Sequence, residues 1–209
     1  MQLDTWLAFV AASAVLLVIP GPTVLLVVSY ALSQGRRVAF STAGGVALGY
    51  LVTMTASLAG LGALVLASAT AFTWLKWVGA VYLVWLGVRL IRSAGTDDAR
   101  FAASGPVTAR RTFVHAAGVT ALNPKSIAFF VAFVPQFLNP SAPLLPQFVT
   151  MIASFVTLAT LNALSFAFVA DAMRARLLAP GAIAWLTRAG GVSLIAMGLL
   201  TASLRRVQG

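Results

Sequence analysis

Leu122-Asn123-Pro124-Lys125-Ser126 sits in the middle of an apolar run from Phe113 to Leu138, placing a proline and a cation where a membrane span would cross hydrocarbon. Both are expensive there. Proline removes a backbone donor and disrupts the preceding turn, and an ionisable side chain at depth needs a water-lined cavity or a partner. Pro20-Gly21-Pro22 interrupts an earlier apolar run, Trp6 to Leu32, in the same way. Paired interruptions in corresponding halves of a chain are the sequence mark of discontinuous helices that meet at a binding site.

Composition supports the membrane reading. The 209 residues are 60% hydrophobic and 9% charged, with a mean hydropathy of +0.97, whereas soluble domains carry about a quarter charged residues. Spans of about 20 apolar residues recur and the alternating strands of a barrel do not, so the expected fold is an all-α integral membrane bundle. The net charge of +10 would suggest nucleic acid in a soluble protein. Here the basic residues fall between apolar runs without an aromatic-interleaved basic face, which excludes that partner in favour of the lipid bilayer. There is no cysteine and one histidine, His115, so the sequence offers no metal site and implies no cofactor. Met1 to Thr5 carries Asp4 and no basic residue, and the apolar run from Trp6 is too long for a signal h-region; it reads as a retained span.

Six apolar segments follow one another: Trp6 to Leu32, Val38 to Ala67, Phe72 to Ile91, Phe113 to Leu138, Leu144 to Ala170, and Ile183 to Leu204. The expected domains are a three-helix unit over 1–92, a cytoplasmic linker over 93–112 marked by Gly95, Gly105 and Pro106, and a second unit over 113–209. Arg36, Arg37, Arg89, Arg92, Arg100, Arg110, Arg111, Arg174 and Arg176 then share one side, which the positive-inside rule makes cytoplasmic, with both termini outside. Within the apolar segments, Trp74-Leu75 through Leu86-Gly87 aligns with Trp185-Leu186 through Met197-Gly198 at an offset of 111 residues (185 − 74), and Pro22 and Pro124 recur at 102 (124 − 22). Three spans is an odd number, so the two units must be inverted relative to each other, with the first and fourth helices broken.

The candidate substrate-binding residues are those of the two breaks: Pro20, Gly21, Pro22 and Thr23, with Asn123, Pro124, Lys125 and Ser126. Amides following each proline would begin a new helical segment without partners, an arrangement suited to an anion. Proline kinks filled by hydroxyls such as Ser29 or Thr120 are the alternative. Lys125 has no evident intramembrane carboxylate: Asp4 is terminal, Asp97 and Asp98 are in the linker, and Asp171 lies near Arg174. Either a substrate carboxylate is its counter-ion, or the ammonium snorkels to a vestibule or bonds carbonyls freed by Pro124. Asn123 suits a substrate or a helix cap. Tyr50 and Asn162 are candidates for the pathway, Asn162 equally for an interhelical bond. Asp171 is a candidate proton carrier or the partner of Arg174 or Arg176. Gly44, Gly45 and Gly49 form a strip for close helix packing, and the packing strips are compatible with a homodimer.

Ile19-Pro20-Gly21-Pro22, Leu75-Lys76-Trp77 through Leu86-Gly87, and Leu122-Asn123-Pro124-Lys125-Ser126 followed by Val134-Pro135-Gln136-Phe137 together resemble the lysine-exporter superfamily, especially its homoserine/threonine-resistance branch. The resemblance spans essentially the whole chain. It implies a bacterial inner-membrane exporter of amino acids or close derivatives, driven by the proton-motive force. Members often carry an acidic residue in the fifth span, where this chain has Ala159, Thr160 and Asn162. The expected activity is alternating-access efflux of an amino acid with a neutral or small polar side chain, because Lys125 would repel a second cation. An intramembrane enzyme lacks its carboxylates, Ser/His pair or metal ligands. A passive channel or scaffold is the remaining alternative.

Overall fold

The computed structural model describes residues 1–19, 21–67, 69–93, 107–172 and 182–203. Among them there are helices and no strands, so the all-α expectation holds. The first apolar run forms two segments, α1 (Leu3–Val18) and α2 (Pro22–Gln34), bent by 54° at the break. Pro22 stands in the first turn of α2, where its missing N–H is no loss, and Gly35 at φ 66° ends the helix in a conformation that favours glycine. A short 3-10 turn leads into α3 (Ala39–Ala67), which is followed by α4 (Ala69–Ser93). The second broken run comprises α5 (Ala109–Ala121) and α6 (Pro124–Ala128), bent by 40°. α6 continues into a wide π turn over Phe129–Phe133 and a 3-10 turn over Val134–Phe137. The N–H of Val134 reaches back to the Phe129 carbonyl immediately before Pro135, which has no N–H of its own to keep the α register. α7 (Leu144–Ala172) and α8 (Ala182–Ser203) complete the described elements.

By length and apolarity, among the described residues, α3 and α7 qualify as membrane spans, and each bent pair qualifies as one broken span. Of the six expected spans, two are thus matched by single helices, and four when each bent pair is counted as one span. α4 and α8 have 25 and 22 residues, long enough to cross at about 1.5 Å per residue, but the apolar helix described within α4 is confined to Ala80–Arg89. Asp97, Asp98 and Arg100 of the expected linker, with Arg174, Arg176, Arg205 and Arg206, lie outside the described residues, whereas Arg110 and Arg111 stand in the first turn of α5.

Close helix approach is set by glycine. A Cβ on Gly49 would lie 2.6 Å from Thr120 Cβ and 2.7 Å from the Ala117 carbonyl, so α3 can seat α5 only because that atom is missing. The expected packing strip thus holds α3 to the second broken run. α7 packs against the first broken run, α3 also packs on α7, and α4 pairs along its length with α8. In that last pair the internal repeat reappears as geometry. Gly87 faces the Gly191 carbonyl and Ile195, while Gly198, its counterpart at offset 111, faces the Ala80 carbonyl and Val84, the counterparts of those two residues. Leu83 and Leu194 are both fully buried, and Trp74 and Trp185 are 69% and 68% exposed on the outer surface, where amphipathic rings suit a membrane interface. Phe129, Phe130 and Phe155 pack edge-on or tilted around Tyr50 and fix the base of the break region.

Candidate functional site

The two interruptions meet inside the bundle. Lys125 is 5% exposed, and its ammonium donates to the carbonyls of Ile19 at 2.7 Å and Leu16 at 3.0 Å, both at the C-terminal end of α1. These carbonyls are freed by the first break; the sequence expectation had placed any such bond on carbonyls freed by Pro124. The negative end of α1 and two oriented carbonyl dipoles thus hold a cation that has no carboxylate partner among the described residues. A Cβ on Gly21 would be 3.3 Å from both Cε and Nζ of Lys125, so the lysine head also lies against the residue that opens α2. Asn162, on α7, donates from Nδ2 to the Leu17 carbonyl at 3.1 Å, completing the clasp around the α1 terminus.

The start of α6 is closed differently. Asn123 is 1% exposed and serves as its N-cap: Oδ1 accepts from the Lys125 amide at 3.1 Å, and the Asn123 carbonyl accepts from the amides of Ser126 and Ile127. The expectation of open amides after Pro124 is therefore corrected, because the residue before the proline supplies their acceptors. Asn123 Nδ2 donates across the break to Thr23 Oγ1 at 3.1 Å, and the Thr23 hydroxyl in turn lies 3.4 Å from that of Thr120. After Pro22, by contrast, Gly21 offers no side chain, and the amides of Thr23 and Val24 have no acceptor among the described residues.

Ser126 is fully buried and its hydroxyl makes no hydrogen bond. Ser13 on α1 is a second buried hydroxyl without a partner. Native proteins leave few such groups. Tyr50, Thr23, Asn162 and Leu17 line a cavity of about 10 Å³, room for one water. Of the residues named from the sequence, Gly21, Thr23, Asn123, Lys125, Tyr50 and Asn162 gather around this point. Pro20 lies outside the described residues, and for Asp171 the backbone helix alone is described. Sequence reasoning missed Thr53, which donates to the Ala121 carbonyl at 2.8 Å and closes the C-terminal end of α5. A threonine in an apolar span carries no signal of its own. Only its place about one turn past the Gly45–Gly49 strip hinted that it faces the second break.

The sequence profile of LysE type translocators matches residues 14–204. The homoserine/homoserine lactone efflux protein of Salmonella typhi is 31% identical over 205 residues, 98% of this chain and 99% of the relative. A leucine efflux protein of Salmonella choleraesuis is 30% identical over 166 residues, covering 79% of this chain and 76% of the relative. No solved structure matches the chain.

Proposed function

This chain belongs to the LysE type translocator family, whose members named above are efflux transporters and not enzymes, and on that premise we propose that it exports a zwitterionic amino acid by alternating access, driven by the proton-motive force. The observation that carries this reading is the Lys125 ammonium bonded to the α1 carbonyls at the junction of the two breaks. In that contact the ammonium and the carbonyls satisfy each other. A zwitterion entering it replaces like with like: its ammonium takes the Leu16 and Ile19 carbonyls, and its carboxylate takes Lys125 and the amides that open α2. Both ends of the substrate are then paired in a medium where an unpaired charge costs several kcal/mol. Asn123 is committed to capping the second break beside it. Relatives named for homoserine, its lactone and leucine support a neutral side chain.

The packing pattern supports two inverted three-helix repeats, with α4 and α8 as the third and sixth spans. Exchanging the first three spans for the last three turns the α3–α5 contact into the contact of α7 with the first broken run, and leaves α3–α7 and α4–α8 unchanged. Alternating access then follows from rocking one unit against the other about the site. In this reading the chain sits in the bacterial inner membrane with both termini outside, and Asp171 remains the candidate proton carrier.

The test is counterflow in proteoliposomes preloaded with a single unlabelled neutral amino acid. A carrier accelerates uptake of the labelled amino acid above the unloaded control, and an imposed proton gradient raises net transport. Equal uptake with and without preloading identifies a channel or scaffold and overturns the reading.

A further inference from the structure

We propose that the small cavity beside the Lys125 clasp is the closed form of the substrate's side-chain pocket, that it selects short uncharged side chains, aliphatic or ending in one hydroxyl, and that Ala159 and Ala163 set its size limit. The inference rests on the zwitterion site described above. The cavity shares Leu17 and Asn162 with the α1 terminus that would receive the substrate ammonium. It shares Thr23 with the start of α2, which would receive the carboxylate. A Cα held between those two ends therefore presents its side chain to this void.

The lining gives the chemistry. No residue around the cavity is charged, so a cationic or anionic side chain would be buried without a partner. Most of the wall is aliphatic, with three polar side chains, Thr23, Tyr50 and Asn162. Asn162 commits Nδ2 to the Leu17 carbonyl and makes no further hydrogen bond among the described residues, leaving Oδ1 as an acceptor for a substrate hydroxyl. Ala159 and Ala163 stand four residues apart on α7, stacked on one helix face, and both are buried against the void. At about 10 Å³ the closed cavity admits a water and no side chain. Its walls come from α1, α2 and α3 on one side and α7 on the other, so separating the two halves of the bundle enlarges it when the clasp opens.

The experiment compares counterflow of alanine, valine, threonine, leucine, lysine and glutamate in proteoliposomes of wild type, Ala163→Leu, Ala163→Val, Tyr50→Phe and Lys125→Met. Wild type should favour the four neutral amino acids over lysine and glutamate. Ala163→Leu should lower the leucine-to-alanine ratio by roughly tenfold or more, the scale of added methylenes in an apolar pocket, with Ala163→Val a smaller shift in the same direction. Tyr50→Phe should lower threonine relative to its isostere valine. Unchanged ratios in variants that stay monodisperse overturn the pocket, as does equal transport of lysine or glutamate by wild type. If Ala163→Leu does not fold, Ala163→Val and Tyr50→Phe decide. Lys125→Met separates the two levels of inference: full counterflow in that variant removes the zwitterion site itself, whereas a silent Lys125→Met with unchanged ratios elsewhere removes the pocket alone.

Discussion

Both interrupted spans end one helical segment and start another at a proline, yet the two junctions satisfy their backbone by opposite means. The second break looks after itself on its N-terminal side: Asn123 caps α6 with its own side chain and carbonyl. The first break has a glycine in the corresponding place, and its carbonyls are met by residues distant in sequence, Lys125 from the second break and Asn162 from α7. A junction that carries its own cap stays put when its neighbours move. A junction whose partners come from elsewhere is exposed whenever they leave, and one of those partners is a cation. In the proposed mechanism, that difference makes the first break the side that opens toward substrate and the second the fixed wall against which it opens.

The largest effect should come from Lys125, which joins the two breaks. Lys125→Gln keeps a donor for the α1 carbonyls but removes the charge, so the clasp can still form while a carboxylate gains no charge-assisted bond. Losing one or two such bonds at about 1.5–3 kcal/mol each lowers export by roughly 100-fold or more. The variant should nevertheless unfold in detergent within a few degrees of wild type. Wild-type export by Lys125→Gln would reduce the lysine to a cap and erase the functional asymmetry between the junctions.

Much of this was legible in the sequence, and the limits of that legibility are physical. Prolines and a lysine amid apolar residues are costly in hydrocarbon, so the two breaks and a lysine set within one of them could be read without coordinates. The repeat around Trp74 and Trp185 could be read too, and its paired glycines became paired close contacts. The partner of Lys125 could not: Leu16 and Ile19 act through backbone carbonyls, which every residue possesses, so no residue type marks them. The same holds for Asn123, whose side chain fits a substrate or a cap equally well by chemistry. The geometry assigns it to the cap, and with it the amides that had been expected to stand open. The cavity between Leu17 and Ala163 depends on where small residues from separate helices fall together, which no local pattern encodes.

A moderate effect is expected at the caps themselves. Asn123→Ala removes the acceptor for the Lys125 amide and the donor to Thr23 together, and loss of such a cap costs about 1–2 kcal/mol. Asn123→Asp should recover the cap acceptor while losing the Nδ2 donor to Thr23. Gly21→Ala, at the matching place in the first break, removes no hydrogen bond and brings a Cβ to 3.3 Å from the lysine head, which a flexible side chain can relieve. Thermal unfolding in detergent should therefore fall clearly for Asn123→Ala and hardly for Gly21→Ala. Equal losses at the two positions would mean that the junctions are not built differently after all.

The smallest effect tests whether the comparison extends to the carbonyl ends. Thr53 bonds the Ala121 carbonyl at the end of α5, and Asn162 bonds the Leu17 carbonyl at the end of α1, each from the long helix that packs on that broken run. As interhelical hydrogen bonds inside a membrane protein, each contributes on the order of 0.6 kcal/mol. Thr53→Val and Asn162→Leu should lower stability by similar small amounts. Their effects on transport should part, because in the proposed mechanism the Leu17 carbonyl borders the clasp that opens and the Ala121 carbonyl borders the wall that does not. Asn162→Leu should thus alter the apparent affinity for substrate while Thr53→Val leaves it near wild type, read as KM from initial export rates. If both variants shift KM equally, the second break moves with substrate as the first does, and the fixed-wall assignment gives way to two junctions that open in turn.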